Sequence, residues 1–140
     1  ERESVSQDGI CFNNVKWMVE TMAESNGIDP EALKHLMDIG GAAFTVKMID
    51  LFLETGGQRL AEAWDHGKKG DWAGVRKAVH SMRSSAGNFG AQRLFTLAGE
   101  IEKMALAGNT APIPDLLREL ETVLDRVQNQ LRQERVRLTS

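Results

Sequence analysis

The sequence predicts an all-α fold, an antiparallel up-and-down four-helix bundle with one or two additional short N-terminal helices. Apolar residues recur at intervals of three and four in every long segment, which is the spacing of a helix with one buried face. No segment alternates apolar and polar residues with a period of two, so no strand is predicted. The connections between helical segments are short, and short connections favour antiparallel neighbours.

The chain divides into three predicted regions: a tail with an accessory helix in residues 1–28, the bundle in residues 29–131, and a frayed tail in residues 132–140. Residues 10–25 form the accessory helix in this prediction, because apolar side chains recur there at helical spacing. These side chains are Cys11, Val15, Met18, Val19 and Met22. We expect the accessory helix to pack on the bundle, with a connector or a partner-binding helix as the alternative.

The next segment begins at Asp29 and Pro30, an N-cap residue followed by proline at the first helical position, and ends at Gly40-Gly41. A longer helix is predicted from about residue 42 to residue 66. Gly56-Gly57 lies in its middle and predicts a kink or a thinning of the helix there, because glycine weakens a helix. The side chains predicted to face inward are Leu33, Leu36, Met37 and Ile39, then Phe44, Met48, Leu51, Phe52, Thr55, Leu60, Ala63 and Trp64.

Three further helices complete the predicted bundle. The first has Asp71 as its N-cap and breaks near residues 88–90. The second runs from about residue 91 to residue 106, before a loop that contains Gly108, Pro112 and Pro114. The last begins near Asp115 and is expected to fray beyond Gln128, where polar and charged residues dominate.

Composition limits the possible functions. The chain has 140 residues, 41% of them hydrophobic and 26% charged, which is typical of one globular domain with a proper core. The net charge of −3 argues against general nucleic-acid binding, and no apolar run is long enough to cross a bilayer. A single cysteine excludes an internal disulfide, so we expect a reducing, cytoplasmic setting. Because residue 1 is Glu, the sequence is interpreted as a piece of a longer protein or as one that begins with residues left by cloning.

The helix after Asp71 carries a histidine outside its buried stripe. Val75, Val79, Met82 and Ala86 follow one another one turn apart, and they form the face predicted to be buried. His80 lies beside that stripe. The residues that share its face are two cations, two very small residues and one aromatic residue: Arg76, Arg83, Ser84, Gly87 and Trp72. Such a face suits a charged group and a partner that approaches closely.

The run from Val79 to Ala91 resembles the signature of histidine-containing phosphotransfer (HPt) domains, roughly His-x-Leu-Lys-Gly/Ser-Ser with a glycine ten residues after the histidine. Met82 stands for the leucine, Arg83 for the lysine, Ser84 for the small residue and Gly90 for the distal glycine. The resemblance extends over about residues 29–127. It implies a four-helix bundle that carries a phosphoryl group on His80 and is not itself an enzyme.

The predicted topology also places an acid opposite His80. If the chain reverses near Gly90, the residue that faces His80 lies about as far beyond the turn, near positions 100–102, and Glu102 is there. Glu102 is therefore expected to accept the Nδ1 proton and leave Nε2 free to attack. Histidine suits this role because its usual pKa, about 6.5, leaves the ring neutral at neutral pH.

The other predicted roles follow from residue type. Arg83 is expected to meet phosphoryl oxygens with paired donors, and Arg76 to add positive charge. Ser84 and Gly87 keep the docking surface low, and Gly90 is structural because it permits the turn. No metal is expected in this chain.

The resemblance implies that the partners are response-regulator receiver domains, which would supply Mg²⁺. A hybrid sensor histidine kinase in the same polypeptide is a further possible partner. Neither nucleic acid nor membrane contact is expected.

Two other interpretations stay open. A dimerisation and phosphoacceptor helix pair of a sensor kinase also uses a histidine, usually with an acidic residue next and a proline within a turn or two. Here Ser81 follows His80, and no proline occurs between His80 and Pro112. A non-catalytic helical adaptor, in which His80 carries no phosphoryl group, is the second alternative. His35 and His66 each follow a glutamate by four residues and are interpreted as helix-surface residues.

Overall fold

Four helices account for most of residues 27–140, the part of the chain that the structure, a computed structural model, describes. They are α1 (Pro30–Lys68), α2 (Trp72–Asn88), α3 (Gln92–Ala107) and α4 (Ile113–Thr139). Each packs against its neighbour in sequence, and α1 also packs against α4. This arrangement is the predicted antiparallel four-helix bundle. The predicted accessory helix of residues 10–25 lies outside the described residues.

The predicted N-caps of the first two helices are confirmed. The Asp29 carboxylate accepts a hydrogen bond from the Glu31 backbone N–H at 3.0 Å. The Asp71 carboxylate accepts one from the Gly74 N–H, also at 3.0 Å. Each bond satisfies a backbone donor that the first turn of a helix leaves without a partner.

Gly41 interrupts α1 and reverses the chain. Its φ of 81° is open to glycine but strained for other residues, and it separates two helical segments, as Gly40-Gly41 predicted. Before Gly41, residues 28–37 share a groove with residues 130–138. The Ile28 N–H donates to the Gln130 Oε1 at 2.7 Å, which pairs the first residues of the two stretches, so this segment runs in the same direction as α4. After it, Asp50 contacts Arg135 and Gly56 faces Gln128, so this part of α1 runs antiparallel to α4.

The kink predicted at Gly56-Gly57 is wrong. Gly41 is the position in α1 with non-helical backbone angles. Gly56 is buried, and a Cβ built there would lie 3.0 Å from the Gln128 Nε2 and 3.3 Å from a Leu124 methyl group. The absence of a side chain at Gly56 therefore allows α1 to approach α4 closely, while Gly57 faces open space.

The predicted fraying of the last helix is also wrong. Helix α4 continues to Thr139, and Leu131 is fully buried. Arg135 donates hydrogen bonds to Asp50 from Nε at 2.5 Å and from Nη2 at 3.3 Å. This hydrogen bond, and then the negative charge of Asp50, raise the pKa of Arg135. Residues 132–140 thus belong to the helix that packs on α1.

One apolar core runs through the bundle. Its fully buried larger side chains are Phe89, Ile49, Leu94, Leu97, Ile101, Ile113, Leu117, Leu120, Leu131 and Val75. Two residues that the apolar spacing placed inside are instead exposed, Ile39 by 61% and Leu51 by 54%. Both lie at the edge of their apolar stripes, where the packing of the neighbouring helices decides whether they are covered.

Candidate functional site

His80 is exposed to solvent because a different face of α2 packs into the core. Val75, Val79, Met82 and Ala86 are all buried, as their spacing predicted. The His80 side chain lies just outside this stripe and is 59% exposed. The turn after α2 leads directly into α3, which runs back along the same side of the bundle.

Gly90 makes that turn possible. Its φ is 61°, in the left-handed region that favours glycine. A Cβ at this position would overlap with that of Asp29 and lie 3.3 Å from that of Ala32. The Asp29 N–H also donates to the Phe89 carbonyl at 2.9 Å, so the turn is joined to the beginning of α1. Gly90 therefore permits both the turn from α2 into α3 and the close approach of the beginning of α1.

Glu102 faces His80 across the α2–α3 hairpin, as the symmetric placement about Gly90 predicted. Its Oε2 lies 2.8 Å from the Nδ1 of His80. The Glu102 side chain is only 19% exposed, which limits the directions in which its carboxylate can turn. With a carboxylate as acceptor, Nδ1 is the nitrogen that carries hydrogen, and Nε2 of the neutral ring has the free lone pair.

Arg83 extends across to the same carboxylate. Its Nη1 lies 3.2 Å from the Oε1 of Glu102, while no donor within the described residues is aligned with that oxygen for a hydrogen bond. The contact is therefore an ion pair by proximity. The guanidinium also lies over the ring of Phe95, with 5.2 Å from Cζ to the ring centroid. Arg83 is thus engaged with α3, whereas the sequence suggested donors directed at a bound group.

The other predicted site residues lie on the outer surface of α2. Arg76, Ser84 and Gly87 are exposed, and a Cβ at Gly87 would meet nothing within 4 Å. Trp72 is half-buried, and a Cβ on Gly67 would lie 3.8 Å from its ring. The surface beside His80 is therefore low and open toward the end of α2.

Two contacts near His80 were not predicted from the sequence. The Phe95 ring lies under the Arg83 guanidinium. Phe95 precedes Glu102 by seven residues, and this spacing is the sequence signal that places Phe95 and Glu102 on one face of α3. On the opposite flank, Arg59 donates from Nε to the Ser81 hydroxyl at 3.2 Å and pairs with Glu62 at 3.2 Å. These contacts join α2 to α3 on one side and to α1 on the other.

The remaining histidines are in different surroundings. His35 is exposed on α1. His66 lies at the end of α1 with Nδ1 3.0 Å from the Asp71 Oδ2, although the geometry is not that of a hydrogen bond. Within residues 27–140, no three His, Cys, Asp or Glu side chains gather where a metal ion could bind. In the same range, no helix combines the length and hydrophobicity needed to cross a membrane.

Comparison with known proteins decides the family. The family model for the Hpt domain matches residues 47–130, which is more than half of the chain and includes both His80 and Glu102. The chain belongs to the Hpt domain family. Hpt domains are phosphotransfer carriers of phosphorelays that work through a histidine, and their partners are response-regulator receiver domains.

A solved Hpt protein has the same architecture. The chain is similar to histidine-containing phosphotransfer protein B (HptB) from Pseudomonas aeruginosa PAO1, with 25% identity and a TM-score of 0.75. The alignment covers 79% of this chain and 95% of that one. No curated protein sequence gives a significant match. The Hpt match includes His66 and His80 but not His35, and of these two His80 is the more exposed.

Proposed function

We propose that this Hpt domain accepts a phosphoryl group on Nε2 of His80 from the aspartyl phosphate of one receiver domain and passes it to the aspartate of another. The observation that carries the proposal is the pairing of an exposed imidazole with a mostly buried carboxylate at 2.8 Å. This pairing directs the Nδ1 hydrogen inward and leaves the Nε2 lone pair for a reaction with an incoming group.

The transfer balances without a further reactant. The Nε2 lone pair forms a bond to phosphorus while the P–O bond to the receiver aspartate breaks, and that aspartate leaves as a carboxylate with the electron pair. The ring keeps its Nδ1 hydrogen and becomes positively charged as the N–P bond forms. The Glu102 carboxylate stabilises this charge at hydrogen-bond distance. Transfer to the second receiver is the same sequence in reverse.

Arginine side chains supply positive charge on both sides of His80 along α2. Arg83 is one turn after it and already forms an ion pair with Glu102, so in this proposal it acts first on the carboxylate. Arg76 is one turn before it and exposed, where it adds to the local positive field for an incoming phosphoryl group. Mg²⁺ would come with the receiver domain, and this chain would bind no cofactor of its own.

The surface around His80 suits a closely docked receiver. Ser84 and Gly87 are exposed and small, so another domain can bring its aspartate near Nε2 without displacing a large side chain. We therefore assign Ser84 and Gly87, with Arg76, to the docking surface. In this proposal the protein is a phosphoryl carrier and not an enzyme, and it acts in the cytoplasm. The phosphoryl donors are receiver domains or a hybrid kinase in the same polypeptide.

The test is incubation of the chain with a phosphorylated receiver domain and Mg²⁺. We expect an acid-labile, base-stable label on the wild-type chain and none on His80→Gln. His35→Gln is the matched control, because it makes the same change at another exposed helix histidine and should keep the label. A label that persists in His80→Gln contradicts the proposal. The absence of label on the wild-type chain with any competent receiver supports the adaptor alternative.

A further inference from the structure

Three residues of α3 lie directly under Arg83. Phe95, Gly99 and Glu102 follow one another at intervals of four and three residues, so they share one face of the helix. The Arg83 guanidinium lies over the Phe95 ring, with 5.2 Å from Cζ to the centroid, and reaches Glu102 with Nη1. Between them, a Cβ on Gly99 would lie 3.6 Å from the Arg83 Cδ and 3.7 Å from Nη1.

We propose that Phe95 and Gly99 form a seat for Arg83, which makes Phe95 a positioning residue for the His80–Glu102 pair. This inference rests on the proposed function of His80. The seat has an aromatic face under the guanidinium, space for the side-chain stem above Gly99, and a carboxylate at the far end. It involves a single cation, Arg83, whose side chain is 39% exposed and would otherwise be free to sample many rotamers.

The seat matters because no aligned hydrogen bond within residues 27–140 fixes Arg83 to the Glu102 Oε1. The Oε1 of Glu102 is buried and has no aligned hydrogen-bond donor within residues 27–140. Arg83 is held near it by charge and by the contact with Phe95. A cation over the face of an aromatic ring is attracted by the ring quadrupole, and a leucine side chain lacks that attraction.

The position of Arg83 sets the orientation of the carboxylate. Arg83 attracts Oε1, and Oε2 is thereby directed toward Nδ1 of His80. If Arg83 leaves the seat, the carboxylate loses the charge that faces Oε1, and its Oε2 is held less firmly toward Nδ1 of His80. The population of the ring with hydrogen on Nδ1 should then fall, and the ring should meet the phosphoryl group less often in the reactive form.

The first experiment measures the hydrogen on the His80 ring by ¹⁵N NMR in the free chain, so it does not depend on phosphotransfer. In Phe95→Leu and in Gly99→Val, whose branched side chain would displace the Arg83 stem, we expect a smaller Nδ1–H population than in the wild type. Phe95→Tyr keeps the aromatic face and should restore it. Leu106→Ala, at another exposed apolar position of α3, is the matched control and should not change it.

The second experiment measures transfer from a phosphorylated receiver. Phe95→Leu should lower the maximal rate at least threefold with little change in KM, and Phe95→Tyr should stay within twofold of the wild type. A raised KM with an unchanged ring population would mean that Phe95 contacts the receiver, and it would overturn the proposal. Unchanged values for Phe95→Leu and Gly99→Val in both experiments would also overturn it. If the wild-type chain takes no label, the proposed function fails while the NMR experiment still decides the seat.

Discussion

Replacing Glu102 by glutamine should slow phosphoryl transfer without changing the geometry of the hairpin. The glutamine amide oxygen can still accept the Nδ1 hydrogen of His80, so the ring keeps its orientation. The negative charge that faces the ring at 2.8 Å is lost. Since the ring becomes positive as the N–P bond forms, this charge acts more strongly in the transition state than in the resting chain.

The magnitude follows from the distance and the exposure. Two unit charges 2.8 Å apart attract by about 1.5 kcal/mol in bulk water and by about 6 kcal/mol at an effective dielectric constant of about 20. The His80 side chain is more than half exposed, so screening favours the lower part of this range. A charge-assisted hydrogen bond typically contributes about 1.5–3 kcal/mol. A loss of about 2 kcal/mol corresponds to a rate about 30-fold lower.

Single-turnover transfer from a saturating phosphorylated receiver, followed by rapid quench, measures this rate. Glu102→Ala should be slower still, because it also removes the acceptor for Nδ1. Glu100→Gln is the matched control, since it makes the same charge change at an exposed position two residues earlier on α3 and should leave the rate unchanged. A Glu102→Gln rate within threefold of the wild type would refute the role of this charge.

Three further predictions concern the turn, the docking surface and the helix contact. Gly90→Ala should lower the free energy of unfolding by about 2–4 kcal/mol through backbone strain and overlap, whereas Gly108→Ala, with φ of 79° and open space, should cost about 1 kcal/mol. Urea unfolding followed by circular dichroism measures both, and equal losses would contradict the packing role of Gly90. Ser84→Trp should weaken receiver binding at least tenfold in calorimetry with an unchanged melting temperature, and unaltered affinity would count against close docking. Gly56→Leu should destabilise by about 1–3 kcal/mol, but Gly57→Leu should not destabilise, so equal effects would mean that Gly56 does not face α4.

The sequence predicted the local features of the fold well because each depends on neighbouring residues. Asp29 and Asp71 cap their helices as expected, since an N-cap needs only a short side chain and the first helical turn. The position of Glu102 opposite His80 was also predicted, because a short turn fixes the pairing of the two helices that it joins. These features required no knowledge of distant contacts.

Features that depend on contacts between distant segments were predicted poorly. Gly56 was interpreted as a weak point of α1 from its residue type alone. Its packing against Leu124, which is 68 positions away in the chain, is a contact that the local sequence does not indicate. The end of α4 was expected to fray, although Asp50 of α1 binds Arg135. Periodicity identifies the buried face of a single helix, but it does not show which partner lies against the edges of that face.

The same limit applied to Arg83. Its spacing from His80 placed it one turn away, and residue type suggested that its donors would meet a phosphoryl group. The structure instead engages it with Phe95 and Glu102 of α3. An arginine side chain is long enough to reach either target, so the choice is made by the face that α3 presents to it.

The most direct test of the phosphoacceptor assignment is the position of the phosphoryl group on the ring. The phosphorylated chain, prepared with a receiver domain and studied by ¹⁵N and ³¹P NMR, reports which nitrogen of which histidine is bonded to phosphorus. We expect the N–P bond at Nε2 of His80, with hydrogen retained on Nδ1 beside Glu102. A phosphoryl group on Nδ1 of His80, or on His35 or His66, would contradict the proposed role of the pair.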